Sequence, residues 1–353
     1  MAQDGAPFRV GKLPSQFLAE MLSRYTILDP RVVVGPRIGE DVAAIDFGDR
    51  YLLAKTDPIT FVAEDIGYYA INVNANDIAC AGGLPKWFLA TILLPENATD
   101  ERLVSTIFSQ LYRACRKLRV SFCGGHTEVT YGLDRPIVVG TMLGEVDKDK
   151  LVTTSGARVG DELILTKGIA IEAASIIARE KEEHLKNVFS PEVVQRAQHF
   201  LHDPGISVLR DAQVAVAAGE VHAMHDPTEG GLATGLHELA EAAGVGIRVH
   251  FERIPMLPEA KLLCEEFGLD PLGAIASGAL LIAAPPSSVP AIVRALQQEG
   301  IRAAVIGEVV APEHGVQITY RDTSMPLPRF DQDEITKIFR GADGDENAPT
   351  EPE

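Results

Sequence analysis

Short apolar runs separated by polar, glycine-bearing turns dominate the first third of the chain. Val42–Ile45 and Tyr51–Ala54 flank the turn "DFGDR", which predicts two connected strands. From about Asp65 to Ala81 the apolar spacing changes to that of a helix, opened by Glu64 and Asp65 and closed by "GGLP". "ATILLPENATDERLVSTIF" reads strand, loop, helix: Trp87–Leu94 is a buried strand, and an amphipathic helix follows with Thr99 or Asp100 as its cap. Pro136–Val146 returns as a strand. The pattern then resets around "DKDKLVTTSGARVGDELILTKG", which places a boundary near Asp147–Asp161.

Beyond the boundary, strands are expected at Glu162–Thr166, Ile247–Phe251, Ala279–Ala284 and Val305–Val309. Helices are expected at Ile171–Glu180, Pro191–Gln198, Ser207–Ala218, Gly231–Ala243, Pro258–Phe267 and Val289–Glu299. This mixture predicts an α+β protein of two mixed α/β domains, 1–150 and 151–330. The tail 341–353, "GADGDENAPTEPE", has five acidic residues, no basic ones and no apolar run, so it is predicted to be disordered.

The length, 353 residues, agrees with two cores rather than one. A formal charge of −18 argues against a nucleic-acid or anionic-membrane partner. No apolar run approaches the roughly 18 residues of a membrane span, and the N-terminus lacks the pattern of a secretory signal. Cys80, Cys115, Cys123 and Cys264 show no paired or metal-like spacing, which predicts free thiols and a cytoplasmic location.

Four places draw attention as chemistry. In "DIGYYAINVNANDIACAGG" the stripe Ile66, Ala70, Val73 continues into Asp77 and Ala81, so a carboxylate lies on the buried face, flanked by Asn74 and Asn76. Asp41 precedes one strand and Asp57 ends the next; each alone is equally a turn cap. "FCGGHTEVT" pairs Gly124 with Gly125, which marks either a tight turn or a close approach to ligand. "HDPTEGGLATGLHELAEAAG" sets Asp226, Thr228, Gly230 and Gly231 at the mouth of a helix. No Walker-type or G-x-G-x-x-G motif is present. Aspartates at strand ends and helix starts, each near glycine, instead suggest Mg²⁺ bridging carboxylates to phosphates.

Taken in order, "GEDVAAI", "TDPIT", "NDIACAGGLP", "CGGHTEV", "LTKG", "HDPTEGGLATGLHELAEAAG" and "DPLGAIASGALLIA" resemble the aminoimidazole ribonucleotide (AIR) synthetase superfamily, over roughly residues 10 to 325. That superfamily includes selenophosphate synthetase, thiamine monophosphate kinase and the hydrogenase-maturation dehydratase, and the last two motifs sit nearest the hydrogenase-maturation branch. The resemblance implies a homodimer whose N-terminal sheets pair into a shared barrel, with ATP and Mg²⁺ in the cleft between domains. By motif, the metal ligands are Asp41, Asp57, Asp77 and Asp226, with Asp57, Asp77 and Asp226 also catalytic. Gly124, Gly125, His126 and Thr127 match the glycine loop that approaches ATP, and Asn76, Thr228, Gly230 and Gly231 join the nucleotide-binding set. Lys12 and Lys167 are candidate charges near the phosphates, a solvated lysine being the alternative for each.

Hydrogenase-maturation members end in Pro-Arg-Ile-Cys, whereas this chain ends "NAPTEPE" and its last cysteine is Cys264. The expectation is therefore an ATP- and Mg²⁺-dependent enzyme that activates some other small substrate, with a maturation-complex protein as a further partner. A non-catalytic nucleotide-binding homodimer is the alternative. Four aspartates favour catalysis, since a scaffold has little need of so many buried charges.

Overall fold

A computed structural model describes Phe8, residues 11–60 and residues 62–339, without the side chain of Ser15. The tail 341–353 lies outside the described residues. In chain order, helix α1 (Ser15–Tyr25) and strands β1 (Val32–Val34), β2 (Ala43–Asp46) and β3 (Arg50–Ile59) come first. Helix α2 (Ile66–Cys80), strand β4 (Leu84–Pro95), helix α3 (Glu101–Leu118) and strands β5 (Ser121–Thr130) and β6 (Ile137–Asp147) follow. The second half begins β7 (Glu162–Thr166), α4 (Ile171–Glu180), α5 (Glu182–Val188), α6 (Pro191–His199), α7 (Leu209–Ala218), β8 (Ala223–His225) and α8 (Gly231–Ala243). It continues β9 (Gly246–His250), α9 (Pro258–Glu266), β10 (Leu281–Ala284), α10 (Val289–Gln298), β11 (Ala303–Val310), β12 (Val316–Tyr320), β13 (Thr323–Pro326) and α11 (Thr336–Phe339).

The strands form two mixed sheets. The first has order β1-β2-β3-β6-β4-β5, with only β4 and β5 parallel. Its inner face packs on α2 and α3 through Leu53, Phe88, Ile92, Val138 and Met142. Its outer face is apolar and only half-buried, through Leu52, Leu89, Leu93, Ile137, Val139 and Leu143. The second sheet has order β13-β12-β9-β11-β7-β10-β8. Its central strands β7 and β10 are covered on both faces. Leu163 and Leu281 pack toward α8, while Ile164 and Ile282 pack toward α7 and α10.

Two helices place the chemistry. Helix α2 is buried nearly all round, leaving only Tyr68 and Val73 partly exposed. Its last turn reaches the second half of the chain, where Ala79 and Cys80 share a core with Ala212, Ala215 and Met224. Helix α3 resolves the choice of cap: Asp100 accepts from the Leu103 N–H at 2.7 Å.

The segment expected as a glycine loop is a strand. Gly124 and Gly125 lie inside β5, with φ of 145° and 141°. A Cβ on Gly125 would collide with the Ala90 carbonyl of the neighbouring strand, so the close approach that glycine permits is to β4. β5 is the sheet edge and exposed along almost its whole length, which removes the alternation that marks a strand in sequence.

Candidate functional site

Residues two apart on a strand share a face, so β3 turns Leu53, Lys55 and Asp57 together toward α2. There Lys55 Nζ lies 3.3 Å from Asp57 Oδ2 and 3.2 Å from Asp77 Oδ1. Asn74, one turn earlier on α2, holds the strand in register. Its side-chain oxygen accepts from the Asp57 N–H at 2.9 Å, and its amide donates to the Asp57 carbonyl at 3.3 Å. Burial works against a charge on Lys55, but the carboxylates of Asp77, Asp57 and Asp41 outweigh it and raise its pKa.

The second half of the chain supplies the opposite wall. β8 ends in His225, and Asp226 follows it into the loop before α8. Cys80 Sγ, from the end of α2, donates to Asp226 Oδ1 at 3.4 Å. Asp41 meets His225 Nδ1 at 3.1 Å, His225 Nε2 meets Glu238 at 3.0 Å, and Glu238 accepts from Lys12 at 3.1 Å. This relay of alternating charge ties the segment before β2 to β8 and α8. Burial opposes protonation of His225, yet Asp41 and Glu238 on its two sides raise its pKa well above the usual range. Glu238, desolvated but bonded to His225 and Lys12, is held down at about 2.

The four aspartates are thus brought together, and they are short of cations. Asp41, Asp57, Asp77, Asp226 and Glu238 are five carboxylates facing Lys12, Lys55 and His225. Full ionisation leaves at least two negative charges unbalanced. Among the described residues, Asp77 Oδ2 and Asp226 Oδ2 are buried without a hydrogen-bond partner, a state that costs free energy unless a proton or cation meets them. The pKa values register the strain. Burial, then the nearby Asp41 carboxylate, pushes Asp226 up to about 7. Burial also pushes Asp77 well above the carboxylate range; Lys55 opposes this, while Asp226, Asp57 and Asp41 add to it. The orphaned oxygens fit a divalent cation, because hard oxygen donors lacking positive charge are what such an ion requires.

Other sequence-predicted residues are engaged differently. Asn76 clamps the chain after α6, donating to the Ile206 carbonyl and accepting from the Val208 N–H, both at 2.8 Å. Its amide is thus engaged at both ends within the chain. Lys167 is buried against Asp211 at 3.3 Å and donates to the Ser207 carbonyl at 2.6 Å. It too fixes the 205–208 segment, where desolvation lowers its pKa.

The Gly230 N–H, at the mouth of α8, donates at 2.7 Å to the buried carboxylate of Asp333. Gly231, at φ 63°, packs where a Cβ would strike the Leu272 and Ala274 carbonyls. Thr228 accepts from Gly231 and Ala276 through its carbonyl. His126 points along the exposed edge and meets only Glu128, at 3.1 Å, so Gly124, Gly125, His126 and Thr127 stand away from the aspartates within one chain.

Sequence reasoning passed over Lys55, Cys80, His225 and Glu238. Lys55 was legible in part, since "KTD" on a strand puts lysine and aspartate on one face. Another buried carboxylate, Glu172 at the start of α4, has an orphaned Oε2 and is pushed up to about 7 by burial, with Ser277 opposing.

Comparison with known proteins places the chain by family and by fold. The N-terminal domain of AIR synthase related proteins matches residues 39–146, and their C-terminal domain matches residues 158–319. The carbamoyl dehydratase HypE of Rhizobium leguminosarum bv. viciae is 30% identical over 287 residues, covering 79% of each chain. The crystal structure of hydrogenase maturation protein HypE in complex with ATP superposes with a TM-score of 0.69 at 23% identity, covering 92% of this chain and 97% of that one. A chain of the HypE–HypF complex gives 0.69 at 22% identity, covering 90% and 100%.

Proposed function

The chain belongs to the AIR synthase related family, and on that premise we propose that it is an ATP- and Mg²⁺-dependent enzyme that activates a small substrate with phosphate from ATP. The observation that carries this reading is the pair of orphaned oxygens, Asp77 Oδ2 and Asp226 Oδ2, which come from opposite walls of one charge-deficient cleft. Asp77 and Asp226 would hold a divalent cation, which would supply charge neutralisation to the phosphate. The chain's own residues prepare the place. Asn74 fixes Asp57, His225 fixes Asp41, and Glu238 with Lys12 fixes His225. Lys55 supplies positive charge between Asp57 and Asp77.

No nucleophilic side chain is required: the protein contributes positioning and charge. The ATP complex of a similarly folded HypE supports the choice of nucleotide. Titration calorimetry tests it. ATP should bind with Mg²⁺ and release no binding heat in EDTA, and purified protein should turn ATP over; equal binding with and without metal would refute the reading.

We further propose that the first sheet completes itself in a homodimer. Its apolar outer face is half-exposed, and the β5 edge offers unpaired backbone groups that other proteins cover or blunt. Pairing there would also give Gly124–Thr127 a role that the single chain does not. Sedimentation should show a dimer at micromolar concentration, and a stable monomer would refute it. The HypE–HypF complex supports a maturation protein as a further partner, one that pull-down with this chain should capture.

A further inference from the structure

The carboxylate cluster contains a sulfur donor, Cys80. Cys80 ends α2, three residues after Asp77 and therefore on the same side of the helix. It is 1% exposed, and its Sγ lies with one oxygen of Asp41 and one of Asp226 so that all three atoms are within 4.8 Å of one another. Asp226 is itself 2% exposed and its Oδ2 has no partner, so the group is both enclosed and unfinished. Asp41 is oriented from behind by His225, as ligating carboxylates are by their outer partners.

Packing alone does not call for sulfur here, and a thiol is a weak donor for a buried carboxylate. Two carboxylate oxygens and a thiolate, with a coordination position left open, are instead a donor set for a borderline, thiophilic ion. Tetrahedral Zn²⁺ spaces such ligand atoms by roughly 3.3–3.8 Å, a small contraction of the spread present in the cleft. Mg²⁺ takes only oxygen ligands and would leave the sulfur unused.

We propose that Asp41, Cys80 and Asp226 form a mixed carboxylate–thiolate site for a divalent ion of the Zn²⁺ class, which competes with Mg²⁺ for the two aspartates. The inference rests on the cation site proposed for catalysis and names a second ion for it. On binding, the Cys80 S–H bond breaks, its proton leaves to solvent, and the sulfur lone pair forms the bond to metal; no electron is transferred.

Cobalt is the probe. Full-length, chelator-stripped protein is titrated with Co²⁺ alone and its near-ultraviolet spectrum recorded. The expected result is one Co²⁺ per chain with a thiolate-to-cobalt charge-transfer band, abolished by equimolar Zn²⁺ and unaffected by equimolar Mg²⁺. Cys80→Ser and Cys80→Ala should lose the band and bind Co²⁺ at least tenfold more weakly. Thermal melts without metal check that each variant is folded. A parent spectrum lacking the sulfur band overturns the proposal whatever the variants do, and so does a band that survives in a folded Cys80 variant. No nucleotide is added, so failure here leaves the ATP reading standing, and failure of Mg-ATP to bind leaves this site standing.

Discussion

Two buried lysine–aspartate groups, one in each half of the chain, behave in opposite ways. Around Lys167 every charge is answered. Asp211 takes Lys167 on one oxygen and the Thr166 hydroxyl, at 2.7 Å, on the other, while Lys167 spends its remaining hydrogens on backbone carbonyls. Around Lys55 one ammonium serves two aspartates, two more stand close by, and two carboxylate oxygens have no partner. Burial of charge is common to both, so burial does not identify a ligand site. Imbalance does: a balanced pair is already complete, and an unbalanced cluster calls for a cation that the described residues do not supply.

The contrast can be broken most forcefully on the balanced side. Asp211→Asn leaves Lys167 as a buried, unpaired charge and should destabilise the fold by about 3–5 kcal/mol, as read from urea unfolding. Addition of Mg²⁺ should not recover any of that loss. If Mg²⁺ does recover it, the two groups are not different in kind.

Glu172 sharpens the comparison, being a buried carboxylate with an orphaned oxygen and no lysine at all. Its folded pKa, about 7, lies above the ordinary glutamate value of 4.5, so the folded chain holds the proton where the unfolded chain has released it. Its contribution to stability is therefore complete below about 4.5 and is lost as pH rises to about 7. Glu172→Gln should raise stability at pH 8 by on the order of 3 kcal/mol at most and leave it unchanged at pH 4. A variant equally destabilised at both pH values would show that the carboxylate is already paired.

The smallest effect belongs to the rim. Lys12 is half-exposed, so Lys12→Ala should cost under about 1 kcal/mol and lose even that in high salt. A salt-independent loss well above that range would place Lys12 inside the site.

Much of this was readable beforehand, for identifiable reasons. Helix α2 announced itself because Asp77 interrupted an apolar stripe, and Asp41, Asp57 and Asp226 carried recognisable flanking motifs. The glycine pairs were visible, but not what they make room for inside the chain. Gly125 makes room for the β4 backbone, and Gly231 for the 272–274 segment, whereas sequence records only that room is needed. β5 is exposed on both sides and β1 and β8 have three residues each, so none carried a usable period. The partners that matter most are distant: 146 positions separate Cys80 from Asp226, and 184 separate Asp41 from His225. No local spacing reports such pairs, which is why Cys80 reads as an ordinary free thiol until the two halves are brought together. Lys167, singled out in sequence, is engaged with Asp211 and backbone carbonyls within the chain, while Lys55, two residues from Asp57, was passed over.

The claim that the Lys55 cluster is an unfinished cation site is tested most directly by thermal melting of the parent and Asp226→Asn, each in EDTA and in Mg-ATP. Asparagine keeps the shape and removes one negative charge. In EDTA the variant should melt at the parent temperature or slightly above, because it relieves repulsion among the carboxylates. In Mg-ATP the parent should gain stability through ligand binding and the variant should gain none. A variant that melts well below the parent in EDTA, or that gains as much from Mg-ATP as the parent does, would contradict the account.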